Sequence, residues 1–327
     1  MKIEEKIDVV CVGILVADIF SSPIKKVPEP GELISTEKIF ISGGGHAHNV
    51  SVSLARLGTR VGVMGKVGKD IFGDFLKENL EKEGVDISKI SVSDRFETSK
   101  TIIILTPSED RRYIYTPGAN ADFSIDDIDF DYVSQAKVLY VGGYGVLSKL
   151  SEDSLTRLFK FAKEQNLVTV LDVIIPHTEI NWINKCKQVL KFTDFFLPNT
   201  DEARIITGQV NPGKQAEEML KYNSEMTVII TMGKEGSLTR TKDKVVRASA
   251  YKVEVIDPSG GGDAFAAGFI FGVMDDWELE KTVKFASAMG ASAGRKMGTT
   301  AGVFTREEVY EFMRNNEIEV KKAFPSC

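Results

Sequence analysis

Asp257-Pro-Ser-Gly-Gly-Gly-Asp263 runs straight into Ala264-Phe-Ala-Ala-Gly-Phe-Ile270. A Pro-Ser turn leads to three glycines, an acid, and an apolar run of small residues with helical character. Gly260, Gly261 and Gly262 leave backbone N–H groups unobstructed where that helix begins. Orphan amides and the positive end of the helix dipole meet there, which makes an anion site. An acid directly behind such a site would repel the anion. Asp263 makes chemical sense as a base that deprotonates an incoming hydroxyl while the glycine amides hold the charge developing opposite. A glycine-rich turn followed by a capping Asp is also an everyday way to begin a helix. The stretch alone does not separate the two.

The chain has 327 residues, enough for one large α/β domain or one domain with a small appendage. Its 43% hydrophobic and 27% charged residues are those of an ordinary globular protein. A net charge of −6, with acids and bases interspersed, argues against a nucleic-acid partner. Any phosphate must then be held by backbone amides, a metal and a few local cations. Cys11, Cys186 and Cys327 are scattered and odd in number, which fits a reducing cytoplasm better than a disulfide framework. No signal-peptide pattern and no apolar run of about 18 residues occurs, so a membrane is not expected.

Ile7–Gly13 reads as a buried strand, and Asp18 follows close enough to its carboxyl end to face a ligand crevice. Residues 21–42 hold three prolines and then an alternating stretch, Ile34 to Ile41, suited to a small sheet standing off the main body. Ser42-Gly-Gly-Gly-His-Ala-His-Asn49 opens a helix with Val50, Leu54 and Leu57 on one face and Gly58 as its stop. Glycines at a helix start admit a ligand close to the backbone, and Asn49 can donate to and accept from a polyol. His46 and His48 are two candidate metal ligands, but a pair alone makes no site.

A strand over 60–67, a helix over 70–83, and β-rich segments at 98–105 and 111–115 joined by a turn at 107–110 follow. Then strands at 137–141, 167–172 and 194–198 alternate with helices at 152–165 and 179–190. That alternation implies βαβ units, a parallel sheet covered on both faces, and ligands at the carboxyl ends of its strands. Helices at 279–295 and 306–315 close the chain. No Walker A sequence follows either glycine cluster, and no Gly-x-Gly-x-x-Gly follows the first strand. P-loop and dinucleotide-binding enzymes are therefore disfavoured.

The string Asp257 to Asp263 resembles the C-terminal signature of the ribokinase-like (PfkB) carbohydrate kinases. Gly44, Gly45, Asn49, Ser51, Gly58 and Gly68 resemble their N-terminal one. The resemblance spans nearly the whole chain. It implies a doubly wound, mostly parallel α/β sheet in a single domain, with a small β-sheet lid formed from about 14–42 and 96–117. It also implies transfer of a phosphoryl group from ATP, with Mg²⁺, to a hydroxymethyl group of a small sugar of the ribose, fructose or 2-keto-3-deoxy type. A nucleoside is the alternative acceptor, and a non-catalytic sugar-binding regulator a more distant one. Asp263 would be the general base and Gly260 to Gly262 the anion hole. Asp18, Gly44, Gly45, His46, Asn49, Arg112 and Asn120 would contact the sugar, His46 standing where ribokinases usually carry Lys. Asn199, Thr231, Gly233, Gly236 and Ser287 would contact the nucleotide, and Glu202 would act on Mg²⁺ through water. Asp257, Ser259 and Gly298 resemble a K⁺ loop, and the lid implies a homodimer.

Overall fold

The fold is taken from a computed structural model that describes residues 6–106, 112–176 and 182–323. Strands Val9–Gly13 (β1), Val16–Ser21 (β2) and Ile39–Gly44 (β3) precede helix His46–Arg56 (α1). Val61–Met64 (β4) and Lys66–Gly68 (β5) lead to helix Ile71–Lys82 (α2), then Ser91–Ser93 (β6), Lys100–Ile104 (β7) and Arg112–Thr116 (β8). A short helix, Phe130–Val133 (α3), comes before Val138–Tyr144 (β9), helix Glu152–Glu164 (α4), Val168–Val173 (β10) and Phe195–Phe196 (β11). Helices Thr200–Thr207 (α5) and Pro212–Leu220 (α6) precede Thr227–Thr231 (β12), Ser237–Arg240 (β13) and Val245–Ala248 (β14). The chain ends with helices Gly261–Met274 (α7), Leu279–Ala293 (α8) and Arg306–Asn315 (α9), and strand Val320–Ala323 (β15).

The large sheet has the order β15-β14-β13-β12-β11-β10-β9-β1-β4. Pairing is parallel from β4 to β12 and antiparallel beyond. Its two faces are buried by strict alternation. In β1, Val9 and Cys11 pack on the side of α1, α7 and α8, while Val10 and Val12 pack on the side of α3 and α4. Each such side chain contributes about 1.5–3 kcal/mol on burial, which fixes the register, since a one-residue slip would exchange the faces. The chain reverses its direction of sheet growth at β1, which lies between β4 and β9. That is the switch point at which doubly wound sheets bind ligands.

A separate four-stranded sheet, β3-β2-β7-β8, stands over this edge. It comprises the segments in which the sequence predicts a lid, and Asp18 lies within β2 rather than in a turn after β1. The predicted turn at 107–110 lies outside the described residues. The predicted helix over 179–190 is replaced, in its described part, by two short 3₁₀ turns, Trp182–Lys185 and Val189–Phe192. Trp182 is buried edge-on against Tyr144, whose hydroxyl takes the Lys185 carbonyl an α-helix would have used itself. The predicted strand over 60–67 is cut in two at Gly65. A β-carbon there would press on Leu15 and on the Gly13 carbonyl. Among the described residues no helix is long and apolar enough to cross a membrane.

Candidate active site

Three chain segments converge at the switch point. Gly45, with φ 89°, precedes α1, and Gly260, with φ 77°, precedes α7; neither helix start has a side-chain cap. At Gly260 a β-carbon would run into the Thr299 carbonyl, so only glycine brings this turn against the 298–299 loop. The N-terminus of α7 therefore faces outward with its amides uncapped. It forms the wall between two cavities, Gly260 and Asp263 lining one, Gly261 and Gly262 the other.

The first cavity, of about 390 Å³, lies beneath the small sheet. Asp18, Thr101 and Tyr115 stand side by side across β2, β7 and β8 and face into it. Asp18 is buried, and a β-carbon at Gly44 would land on its carboxylate, so that glycine makes room for the acid. Asn49 donates from Nδ2 to Asp263 Oδ2 at 2.8 Å, and Thr299 reaches Asn49 Oδ1 at 2.9 Å. His46 Nε2 lies 3.8 Å from Asp263 Oδ1 and 4.0 Å from Asp172 Oδ1, and Tyr140 donates to the other Asp172 oxygen. The ligand-capable atoms of His46, Asp172 and Asp263 lie within 4.8 Å of one another. His48 is not part of this group; it turns the other way, toward Asn79.

The second cavity, of about 1110 Å³, runs along β12, β13 and α8. Thr231, Gly233, Gly236 and Ser287, for which the sequence resemblance implies a nucleotide contact, all line it. Asn199 does not line it. It caps α5, accepting from the Asp201 and Glu202 amides, while Glu202 accepts from the Asn199 amide. Asp257 is fully buried; Oδ1 accepts from Ser259 N–H and O–H and Oδ2 from Gly298 N–H. That carboxylate ties the two segments of the predicted cation loop, 257–259 and 298, together.

Two predicted sugar contacts belong elsewhere. Asn120 spends both ends of its carboxamide on the Leu15 backbone, accepting from its N–H and donating to its carbonyl. It clamps the β1–β2 connection, is fully buried, and does not line the cavity. Arg112 is exposed on β8 and does not line the cavity; its neighbours Tyr113 and Tyr115 do. Conversely, Asp172, Thr101 and Thr299 are site residues the sequence did not single out.

Burial dominates the charge balance. It pushes Asp18 up to about 7, with Asp263 and Asp257 adding to the rise and a Thr101 hydrogen bond opposing it. Glu202 is pushed to about 7 by burial and by Asp172, and Asp172 to about 6 by burial against the pull of His46. Burial works against protonation of His46, yet Asp263, Asp172 and Glu202 outweigh it and raise its pKa. Between about pH 4 and pH 7 the native state thus holds more protons than the unfolded chain at these groups, and stability falls as pH rises. His48, held neutral by burial, works the other way as a single group. The ligand-free protein is therefore expected to melt at a higher temperature near pH 5 than near pH 8. Asp18→Asn should narrow that gap, which a thermal melt across buffers will read.

The model of the pfkB family carbohydrate kinases matches residues 6–306. The chain belongs to that family. It is similar to the 5-dehydro-2-deoxygluconokinase of Clostridium perfringens, with 30% identity over 97% of this chain and 95% of that one. The deoxyribokinase of Salmonella typhimurium is 26% identical over 95% of this chain and 100% of its own length. Among solved structures, Arabidopsis thaliana ribokinase complexed with ribose and ATP superposes with a TM-score of 0.80 at 22% identity, covering 94% of this chain and 98% of that one. An Escherichia coli protein of the same fold, solved with ATP and Mg²⁺, gives 0.81 at 22% identity, covering 94% and 99%. This pfkB kinase thus has the ribokinase fold, with a mostly parallel central sheet and a separate small one.

Proposed function

We propose that this kinase transfers the γ-phosphoryl group of ATP to a primary hydroxyl of a small keto- or deoxy-sugar held beneath the β2–β3–β7–β8 lid. One observation carries the reading: Asp263 and the uncapped amides of Gly260 to Gly262 share the wall between the two cavities. The acceptor lies on the Asp18, Asn49 and Thr101 side, and ATP lies along Thr231, Gly233, Gly236 and Ser287. Asp263 Oδ1 takes the proton of the hydroxyl as its oxygen bonds to the γ-phosphorus. The bond from phosphorus to the β–γ bridging oxygen breaks, and ADP leaves with its electron pair. The glycine amides hold the charge spread over the transferring group, and the lid keeps water from competing as acceptor.

A divalent cation fits the site, because the buried Asp172 and the half-buried Glu202 are close enough for Asp172 to raise the Glu202 pKa, and both are held above the usual carboxylate range without one. Mg²⁺ held there through water would neutralise charge on the ATP phosphates. K⁺ is a poorer fit. The Asp257 carboxylate already accepts three hydrogen bonds, so it organises the 257–259 and 298 segments.

One feature favours a nucleoside as acceptor instead. Tyr113 and Tyr115 both line the acceptor cavity beside Ile103, Val146 and Ile174, a wall suited to a flat base. ATP consumption with Mg²⁺ across ribose, deoxyribose, fructose, 2-keto-3-deoxygluconate, 5-dehydro-2-deoxygluconate and nucleosides distinguishes the two readings. Turnover above the water background with a sugar supports the first, and with nucleosides alone the second. Silence across the whole panel with ATP bound would overturn both and favour a non-catalytic sugar-binding regulator.

The lid also supports a homodimer. Ile41, Ile19, Ile102 and Ile114 align in one row across its four strands, on the face away from the cavity. Ile102 is 44% and Ile114 61% exposed. Such a row on a free sheet face is costly unless covered. Ile102→Glu is expected to convert a dimer to a monomer in light scattering at matched concentration.

A further inference from the structure

The second histidine of the His46-Ala-His48 pair has no part in the reaction as described, yet it is fully buried behind it. Its Nδ1 lies 3.1 Å from Asn49 Oδ1 and its Nε2 lies 2.8 Å from the Asn79 carboxamide. A β-carbon at Gly43 would overlap the ring, so strand β3 closes directly over it. A buried imidazole is a poor space-filler where Leu would serve, and its presence calls for a polar reason.

The hydrogen bonds admit one arrangement. The Asp263 carboxylate only accepts, so Asn49 must turn its NH₂ toward Asp263 Oδ2 and its oxygen toward His48 and Thr299. The Thr299 hydroxyl has one hydrogen and two acceptors in reach, Asn49 Oδ1 and the Gly43 carbonyl at 2.7 Å. It cannot hold the Asn49 oxygen by itself. The Asn49 oxygen can only accept, so the ring nitrogen that faces it at 3.1 Å carries the hydrogen, and that hydrogen is His48 Nδ1–H. On the far side of the ring Nε2 meets the Asn79 carboxamide at 2.8 Å, which holds the ring in this orientation.

We propose that His48 is a positioning residue for the phosphoryl transfer. Its Nδ1–H locks the Asn49 carboxamide in the orientation that grips Asp263 Oδ2 and leaves Oδ1 turned to the acceptor hydroxyl. Without that donor, Asn49 can rotate by half a turn, setting its oxygen against the carboxylate and driving Asp263 off its line of approach. The proposal rests on the reading of Asp263 as the base.

The test compares His48→Ala with His48→Asn, whose side-chain NH₂ can stand where Nδ1–H stood. It is read in kcat, in KM for acceptor and ATP, and in thermal melts. His48→Leu replaces His48→Ala should the latter fail to fold. Loss of the donor should lower kcat by about 10- to 100-fold, the scale of a misplaced reacting group, with KM for ATP unchanged. His48→Asn should restore most of it, and in an Asp263→Asn background His48→Ala should add no further loss. An unchanged kcat in His48→Ala would overturn the proposal, as would a His48→Asn enzyme equally slow at a native melting temperature. If Asp263→Asn itself keeps its turnover, the base assignment fails first. If Asp263→Asn is slow and His48→Ala is not, only the positioning role fails.

Discussion

Asp263→Asn is expected to lower kcat by about 10²–10⁴, the usual worth of a positioned general base, while ATP binds with nearly unchanged affinity. The substitution preserves shape, and the new carboxamide can still accept from Asn49 Nδ2 through its oxygen, so the contact at 2.8 Å survives. What disappears is the lone pair that takes the hydroxyl proton. The amides of Gly261 and Gly262 belong to the other cavity and are untouched, so ATP should remain held. The charge around His46 also changes, because Asp263 is the carboxylate that contributes most to raising its pKa. Asp172 remains at 4.0 Å to keep part of that effect. ADP release measured with the acceptor found in the panel, together with ATP titration by calorimetry, separates chemistry from binding. A variant that kept most of its kcat would remove Asp263 from the role of base. A variant that lost ATP binding would show that the acid serves the nucleotide site instead.

The chemistry of the α7 start is local, and for that reason the sequence exposes it. Three glycines and an acid before an apolar run describe both the uncapped amides and the group behind them without any distant contact. The same holds for Asp70, which caps α2 with its own side chain, and for Thr305, which does so for α9. Asp172 was hidden because nothing near it in sequence marks it. Only the parallel pairing of β10 with β9 sets it beside Tyr140 and opposite His46. Thr299 was hidden beside the predicted cation-loop residue Gly298, because its hydroxyl serves Asn49 and Gly43, partners reached only after the chain has folded. Asn120 misled for the opposite reason. Its local motif matched, but the side chain is consumed by the backbone of Leu15. The antiparallel extension through β13, β14 and β15 was equally invisible, since the exposed final strand is charged and has no apolar alternation to announce it.

The glycines of the anion hole should respond in opposite ways to one methyl group, although they are neighbours. At Gly260 the backbone is left-handed and a β-carbon would collide with the Thr299 carbonyl. Gly260→Ala therefore either strains the turn or pushes the 298–299 loop away from Asn49, at a cost of about 2–4 kcal/mol. Because Thr299 also supports Asn49, and Asn49 supports Asp263, kcat should fall by about 10² in whatever fraction remains folded. At Gly262 a β-carbon meets nothing within 4 Å, and the residue is helical. Gly262→Ala should raise the stability of the ligand-free protein by about 0.5–1 kcal/mol, the ordinary preference of a helix for Ala over Gly. The same methyl group projects into the larger cavity, where the phosphates approach the amides. KM for ATP should rise at least about tenfold, since a contact of 1.4 kcal/mol is a factor of ten. Thermal melts and ATP kinetics on the two variants measure both effects. A Gly262→Ala enzyme that binds ATP as well as the parent would mean that the phosphates do not lie against α7. The assignment of the larger cavity to the nucleotide would fall with it.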